Sequence, residues 1–225
     1  TNKPSIFDKL YFGFFILMPF IYIGQIVDPV LIPRQLYLTI FTFLIVGLIY
    51  YQIGKKKLIP SFSFLKLWLP IVLIIFAFIY IISYSKAIAK TEAIYVISKV
   101  AIEVVFYTIT TFLIIQKQLN IKYIIKAIIV FCAIAIGFTI FQAIDIFINE
   151  KAFFENIYNL RTTFGHKNLL SSVMFLTIPF LFASRILSKK WKTISVFLIS
   201  TMIILLWLIQ TKSVLLAIFL FAVSF

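Results

Sequence analysis

The stretch IIKAIIVFCAIAIGFTIFQAIDIFI, residues 124–148, contains only two charged side chains, Lys126 and Asp145. A helix needs roughly 20 apolar residues to cross the hydrocarbon core of a bilayer, so this stretch alone predicts a transmembrane helix. Seven further apolar runs lie on either side of it and predict the same structure. They are residues 10–27, 36–53, 67–83, 93–115, 169–187, 193–210 and 213–225.

The composition of the 225 residues supports this interpretation, since 63% are hydrophobic and only 12% are charged. Soluble domains are about 45–50% apolar and about 25% charged. A soluble core cannot hold this much apolar surface, whereas a bilayer can cover it. We therefore predict an all-α fold, a polytopic transmembrane helix bundle with about eight spans.

The distribution of basic residues predicts the orientation. The net charge of +14 is typical of nucleic-acid-binding proteins, but here the charge lies in short segments between apolar runs. Cytoplasmic segments of membrane proteins carry an excess of Lys and Arg. With a cytoplasmic N-terminus, 13 of the 21 Lys and Arg lie inside, 7 lie outside and Lys99 lies within a span. We predict this orientation in the cell inner membrane, with membrane lipids as partners and no nucleic acid.

Two features of the sequence bear on its extent and on metal binding. The chain begins at Thr1 and ends at Phe225, inside an apolar run only 13 residues after Lys212. Because a span needs roughly 20 residues, we expect it to be part of a longer protein. Cys132 and His166 are the only cysteine and histidine. One of each makes neither an internal disulfide nor a zinc site, and we predict no metal and no cofactor.

The segment RTTFGHKN, residues 161–168, lies in the longest predicted loop, on the side expected to be poor in basic residues. It nevertheless holds Arg161, His166 and Lys167. Asn168 is the predicted N-cap of the next helix, since its side chain can accept a hydrogen bond from a first-turn N–H. A helix N-terminus carries free N–H donors and a partial positive charge, which favours phosphate. Arginine can bind phosphate through two N–H groups.

The last span begins in a similar way, with Lys212 at its outer end. Two helix N-termini with basic residues therefore face the same side. We predict a lipid phosphate or diphosphate site there, formed by Arg161, Lys212, His166, Lys167 and Asn168. The alternative, above all for the two lysines taken singly, is that basic residues at helix ends only extend to lipid headgroups.

Polar residues within the spans allow two readings each. Gln142 and Asp145, spaced i, i+3 near the outer end of the fifth span, either line the same cavity as Arg161 or lie at the membrane interface. Lys99 and Glu103, spaced i, i+4, share one face of the fourth span. We predict that they neutralise each other and pack against a neighbouring span, with a role in a substrate path as the alternative.

One motif resembles a known family. Arg161-x-x-Phe164-Gly165-x-x-Asn168-x-Leu170, followed by an apolar span, is similar to the signature of the O-antigen ligase and O-antigen polymerase family. Residues 210–214, QTKSV, resemble the family's next short motif, in which an arginine usually stands at or beside the position of Lys212. The resemblance covers about residues 150–225. It implies an N-terminal part of such a protein, with transmembrane helices at 1–148 and the start of the ligase-like domain at 149–225.

The resemblance implies a metal-independent glycosyltransferase with roughly ten to twelve spans. Such an enzyme moves a glycan from an undecaprenyl-diphosphate-linked donor to a glycan or lipid A-core acceptor on the periplasmic face. Family arginines bind the donor diphosphate, which implies this role for Arg161. The family's acceptor-activating histidine lies in a later loop and does not match His166, so we expect this piece by itself to be inactive.

Two other classes of function are open. A multi-pass transporter or flippase without glycosyl-transfer chemistry needs broken helices and internal symmetry. Pro19 with Gly24, and Pro179, are the candidate breaks, and no repeat is visible. A membrane scaffold without a site would make the cluster at 161–168 accidental.

Overall fold

The computed structural model describes residues 4–23, 28, 30–59, 67–149, 162–209, 214, 216 and 217. Every regular element in this part of the chain is a helix, as predicted, and no strand occurs there. The helices are α1 (Ile6–Leu17), α2 (Leu31–Gly54), α3 (Trp68–Ser83), α4 (Lys90–Ile115), α5 (Ile121–Asn149), α6 (Lys167–Ala183) and α7 (Lys189–Ile209).

Five of these helices, α2, α4, α5, α6 and α7, are long and apolar enough to cross a membrane. Each covers most of a predicted span, with ends displaced by a few residues. Helix α3 is shorter, at 16 residues, which is about 24 Å at 1.5 Å per residue. The eighth predicted run, 213–225, lies almost entirely outside the described residues.

The first predicted run, 10–27, is not one continuous helix. Helix α1 ends at Leu17, a 3-10 turn follows at Met18–Phe20, and Ile21 is extended. Pro19 lies within this turn. Proline has no N–H to donate, and its ring clashes with the carbonyl four residues earlier, so the helix stops there. Pro179, by contrast, lies inside α6, which continues to Ala183.

The chain divides into two compact units. The first unit comprises Thr1–Asp8 and Arg34–Asn120, and the second comprises Lys9–Pro33 and Ile121–Phe225. This division reflects which segments pack together. The domain boundary predicted at 148/149 came instead from the family resemblance, and it stays a prediction.

Helix α5 is the centre of the second unit, where it packs against both α6 and α7. The small side chains of Ala127 and Ala135 are buried and allow neighbouring backbones to approach closely, which favours helix association in a membrane. The facing buried side chains are Leu170, Met174 and Leu181 of α6 and Leu198, Met202, Leu205, Leu206 and Ile209 of α7.

In the first unit, α3 packs against α4, and Phe41 of α2 contacts Phe106 of α4 with 6.2 Å between ring centroids. Most of α4 is otherwise exposed. Only 6% of an apolar 18-residue segment of α4 is buried, whereas 56% of the corresponding segment of α5 is buried.

The start of α1 contacts the turn that follows α4. The Ser5 N–H donates to Asp8 Oδ2 at 2.8 Å and the Asp8 N–H donates to Ser5 Oγ at 3.0 Å, the reciprocal pattern of a capping box. Asp8 Oδ1 also accepts the Asn120 N–H at 2.8 Å, and Ser5 Oγ donates to the Gln118 carbonyl at 2.7 Å. This Ser5–Asp8 cap therefore holds the end of the α4 segment from outside the helix.

Candidate anion site at the start of helix α6

The motif segment folds as a tight turn before α6. Thr162–Phe164 form a 3-10 turn, Gly165 has φ +73°, and His166 is extended before the helix begins at Lys167. Thr162 also has positive φ, at 49°. Non-glycine residues rarely adopt positive φ and do so mainly where the surrounding structure requires it.

Phe164 fixes this turn to α5. Its side chain is 3% exposed, and its ring makes an edge-to-face contact with Phe131, with 6.3 Å between centroids. Aromatic pairs favour this geometry. The aromatic position of the motif therefore has a packing role.

Gly165 is required here for two reasons. Its φ of +73° is a conformation that side chains with a Cβ adopt at a cost. A Cβ at this position would also lie 2.7 Å from Cγ2 of Val30. Val30 belongs to the turn before α2, in which Asp28 Oδ1 accepts the N–H groups of Val30 and Leu31 at 3.1 and 2.8 Å. The two turns thus meet at Gly165.

Gln142 contacts the motif segment from α5, since its Oε1 accepts the Thr162 N–H at 2.8 Å. That N–H belongs to the peptide bond that joins residues 161 and 162, so Gln142 holds the backbone next to Arg161. Arg161 itself lies outside the described residues. Asp145 is exposed, about one helical turn beyond Gln142.

The predicted N-cap at Asn168 is wrong by two residues. The N-cap of α6 is His166, whose Nδ1 accepts the Asn168 N–H at 3.1 Å. Asn168 is already inside the first turn of the helix, because the chain leaves the extended conformation at Lys167. An accepting Nδ1 carries no hydrogen, so in this arrangement the ring N–H is on Nε2.

Because of this cap, N–H groups that were predicted to be free at the N-terminus of α6 already have hydrogen-bond partners. The Asn168 N–H is bonded to His166 Nδ1, and the Leu169 N–H is bonded to the His166 carbonyl at 3.1 Å. Attraction of an anion to this end of α6 therefore depends on the helix dipole and on basic side chains. The Asn168 N–H of the first turn can bind an anion only if the His166 side chain is displaced.

The structure thus brings together some of the predicted site residues. His166, Lys167 and Asn168 lie at the start of α6, and Gln142 contacts the turn that precedes them. Lys212 lies outside the described residues. The roles of these residues in binding stay predictions.

The predicted environment of Lys99 and Glu103 is partly wrong. The two side chains do form the i, i+4 ion pair, at 4.0 Å. They are 40% and 47% exposed, so no described helix of the first unit buries them. Helix α4 packs against α3 through a different face. The spacing of the two charges in the sequence shows that they share a face, but it does not show which face packs.

One buried cation has a different environment from the predicted one. Arg34, which precedes the predicted span at 36–53 and is one of the seven basic residues counted as outer, lies in the first turn of α2 and is only 8% exposed. Ionisable groups in membrane helices are expensive and often functional. The span boundary predicted at residue 36 placed Arg34 outside the helix, because a charged residue next to a proline reads as loop.

The five long apolar helices indicate a multi-pass membrane protein. No family model, curated protein or solved structure matches the chain. The resemblance to the O-antigen ligase and polymerase family therefore rests on the quoted motif residues alone.

Proposed function

We propose that this chain belongs to a membrane glycosyltransferase of the O-antigen ligase or polymerase type. It transfers a glycan from a polyprenyl-diphosphate donor to a glycan or lipid A-core acceptor, at the periplasmic face of the cell inner membrane. The proposal includes about eight spans in this chain and a cytoplasmic N-terminus. The enzyme class and the donor come from the motif resemblance.

The observation that carries the proposal is the fixed turn at Thr162–His166. A transferase has to hold the donor diphosphate in one geometry, because preorganised donors are usually the largest contribution to catalysis. The turn is held by packing of Phe164 on Phe131, by close approach of Gly165 to Val30, and by the bond from Thr162 to Gln142. Thr162 in this turn also has φ 49°, a conformation that non-glycine residues adopt at a cost.

The contacts between loops support the proposed topology. In the second unit, the turn before α2 meets the turn before α6, and both are outer segments in the N-in arrangement. In the first unit, the Ser5–Asp8 cap meets residues 118–120, and both are inner segments. Four of the described helices lie between the two contacting segments in each case. An even number of crossings returns the chain to the same side of the membrane, so both contacts agree with a topology in which every helix crosses.

The chemistry follows from charge. When the glycosidic bond to the diphosphate breaks, negative charge develops on the leaving group. Arg161 is the proposed ligand of this diphosphate, because a guanidinium can donate two parallel hydrogen bonds to phosphate oxygens. Lys167, at the start of α6, adds positive charge, and the proposal assigns the same role to Lys212. Lysine is a point charge without this fork, so their contribution is smaller.

His166 has a structural role in this proposal. Its Nδ1 caps α6, and the residue helps to set the position of the turn. Asparagine is a good N-cap and can accept the same bond, while it lacks the imidazole needed for proton transfer. His166→Asn therefore separates capping from chemistry.

The test is complementation of a ligase-deficient or polymerase-deficient strain with the intact protein, read as surface-glycan banding. Arg161→Ala should abolish transfer with unchanged membrane insertion, because the diphosphate loses its bidentate ligand. Arg161→Lys should retain only a small part of the activity. His166→Asn is the matched control and should keep most of the wild-type activity. Full activity of Arg161→Ala would remove the site assignment.

A transporter or flippase is the second candidate, and the break at Pro19 favours it. Discontinuous helices are characteristic of transporter substrate sites, and the run at 10–27 breaks in this way. Vesicles loaded with a lipid-linked glycan distinguish the two. Movement of the donor between leaflets without formation of a transferred product would favour the transporter.

A further inference from the structure

Lys99 and Glu103 lie in the middle of a helix that is long enough to cross the membrane. They are the tenth and fourteenth of the 26 residues of α4. At 1.5 Å per residue they lie about 15–20 Å along a helix about 39 Å long. In a spanning α4 these two charges are therefore close to the centre of the bilayer, where a charge exposed to lipid is unfavourable.

The ion pair within α4 does not satisfy these charges. The two groups are 4.0 Å apart, whereas a charge-assisted hydrogen bond is about 2.7–2.9 Å long. Lysine precedes glutamate in the sequence, which is the weaker order for an i, i+4 pair. Neither side chain makes another polar contact in the described part of the chain.

The pair also faces away from α3. Ile94 and Ile97 of α4 line a groove together with Ile81 of α3. At 100° per residue, Lys99 is about 140° from Ile94 and about 160° from Ile97 around the helix. The side chains of Lys99 and Glu103 are 40% and 47% exposed on this other face.

We propose that a second copy of this chain covers this face, with α4 packed against α4. Two copies inserted in the same orientation are related by a two-fold axis along the membrane normal, so their α4 helices run parallel. Lys99 of one copy is then separated from Glu103 of the other by about 6 Å in depth, which a lysine side chain can span. The symmetry forms each contact twice, and four charges neutralise one another.

The charge pattern is the reason to assign a second copy. In a parallel pair the two Lys99 lie at one depth and the two Glu103 at another, so the charges are complementary when each lysine side chain extends along the helix toward Glu103 of the other copy. Two residues of like charge at these positions would have no such partner and would repel. The apolar part of the contact comes from Tyr95 and Val96, which are 44% and 39% exposed on the same side of α4. The proposal does not depend on glycan transfer.

Cross-linking in native membranes tests the geometry. In a Cys132→Ala background, Val96→Cys should give a disulfide-linked dimer on oxidation. Ala101→Cys is the matched control, because it is exposed on the same helix but about 140° away from residue 96. Absence of a dimer at 96, or equal cross-linking at 96 and 101, would overturn the proposal.

Charge exchange tests the pairing. Two copies with different tags are co-expressed, solubilised and captured through one tag. Lys99→Glu alone, which leaves two acids, and Glu103→Lys alone, which leaves two bases, should each reduce recovery of the second copy at least tenfold. Co-expression of one with the other should restore it, because two acids then face two bases. The double variant K99E/E103K is the folding control and should pair with itself.

Three results contradict the proposal. Wild-type copies that do not capture each other would exclude the dimer. Single variants that capture as well as wild type would exclude the charges as its basis. Recovery of a different membrane protein in place of the second copy, lost in both single variants, would assign the face to another partner.

Discussion

Helices α4 and α5 look alike as sequences and differ as parts of the structure. Both are long apolar helices, of 26 and 29 residues, and both satisfy the length and hydropathy of a membrane span. Yet 56% of an apolar 18-residue segment of α5 is buried in protein, whereas only 6% of the corresponding segment of α4 is buried. The difference shows that apolar character says only that a helix avoids water. It does not say whether protein or lipid covers it.

The reason is that lipid tails are as apolar as leucine, so the hydrophobic effect does not drive two helices together inside a bilayer. Close packing and polar contacts decide association instead. Helix α5 has buried Ala127 and Ala135, which let α6 and α7 approach. Helix α4 has no such buried alanine, and polar contacts hold it at its C-terminal end. Gln116 Nε2 there donates to the Ile59 carbonyl at 3.2 Å.

The largest expected difference between the two helices is in the cost of a cavity. Ile129 of α5 is 1% exposed and Ile94 of α4 is 56% exposed. Ile129→Ala should lower the free energy of unfolding by about 2–4 kcal/mol, because the space left in the core stays empty. Ile94→Ala should change it by less than about 0.5 kcal/mol, since lipid or detergent fills the space. Unfolding in mixed micelles measures both, and equal losses would contradict the comparison.

The next effect concerns the turn beside α5. Gly165→Ala should destabilise the protein by about 2 kcal/mol, because a Cβ is unfavourable at positive φ and here meets Val30 at 2.7 Å. Gly137→Ala within α5 is the matched control. Apart from the adjacent residues and the backbone of α5 itself, no atom lies within 4 Å of a Cβ there, so alanine should be neutral or stabilise by up to about 1 kcal/mol.

Adding Val30→Ala to the Gly165 variant refines this prediction. The second change removes the close contact and leaves the backbone cost, so stability should recover only in part. Thermal unfolding of the purified protein measures each variant. A Gly165→Ala protein as stable as wild type would show that the turn is free to rearrange.

The smallest effect is expected at the end of α4. Asp8→Ala removes the acceptor of the Ser5 and Asn120 N–H groups, and a hydrogen bond to a charged group contributes about 1.5–3 kcal/mol. Part of this loss returns because water reaches both N–H groups, so we expect about 1 kcal/mol. Asp8→Asn keeps one acceptor oxygen and should lose less.

Hydrogen exchange at the Asn120 amide is the direct measurement for this cap. The amide should exchange about fivefold faster in Asp8→Ala, which corresponds to about 1 kcal/mol. Amides in the middle of α5 are the internal control and should not change. An unchanged Asn120 rate would show that the bond from Asp8 does not protect the end of α4.

The sequence predicts the chemistry of the candidate site, which stays a prediction, and it was wrong about the residue that caps α6. The cluster Arg161, His166 and Lys167 before an apolar run indicates an anion site from residue types alone, and Asn168 looks like the cap because asparagine is a good one. The cap is His166, two residues earlier, because residue 166 is extended and the helix begins at Lys167. The tight turn that precedes His166 is set by Gln142, 20 residues away, and no local pattern contains that information.

The sequence by itself determined that this chain forms apolar helices that cross a membrane, because length and hydropathy are local properties that each run carries alone. It also named Pro19 as a candidate break, since proline has no N–H to donate, but residue type alone did not distinguish Pro19, where α1 stops, from Pro179, which lies inside α6. Only the tertiary structure decided which helix is buried and which residue caps α6. It also decided that Gly165 meets Val30. These depend on contacts between segments far apart in the chain, and such contacts are chosen by shape and hydrogen bonding among surfaces that are equally apolar.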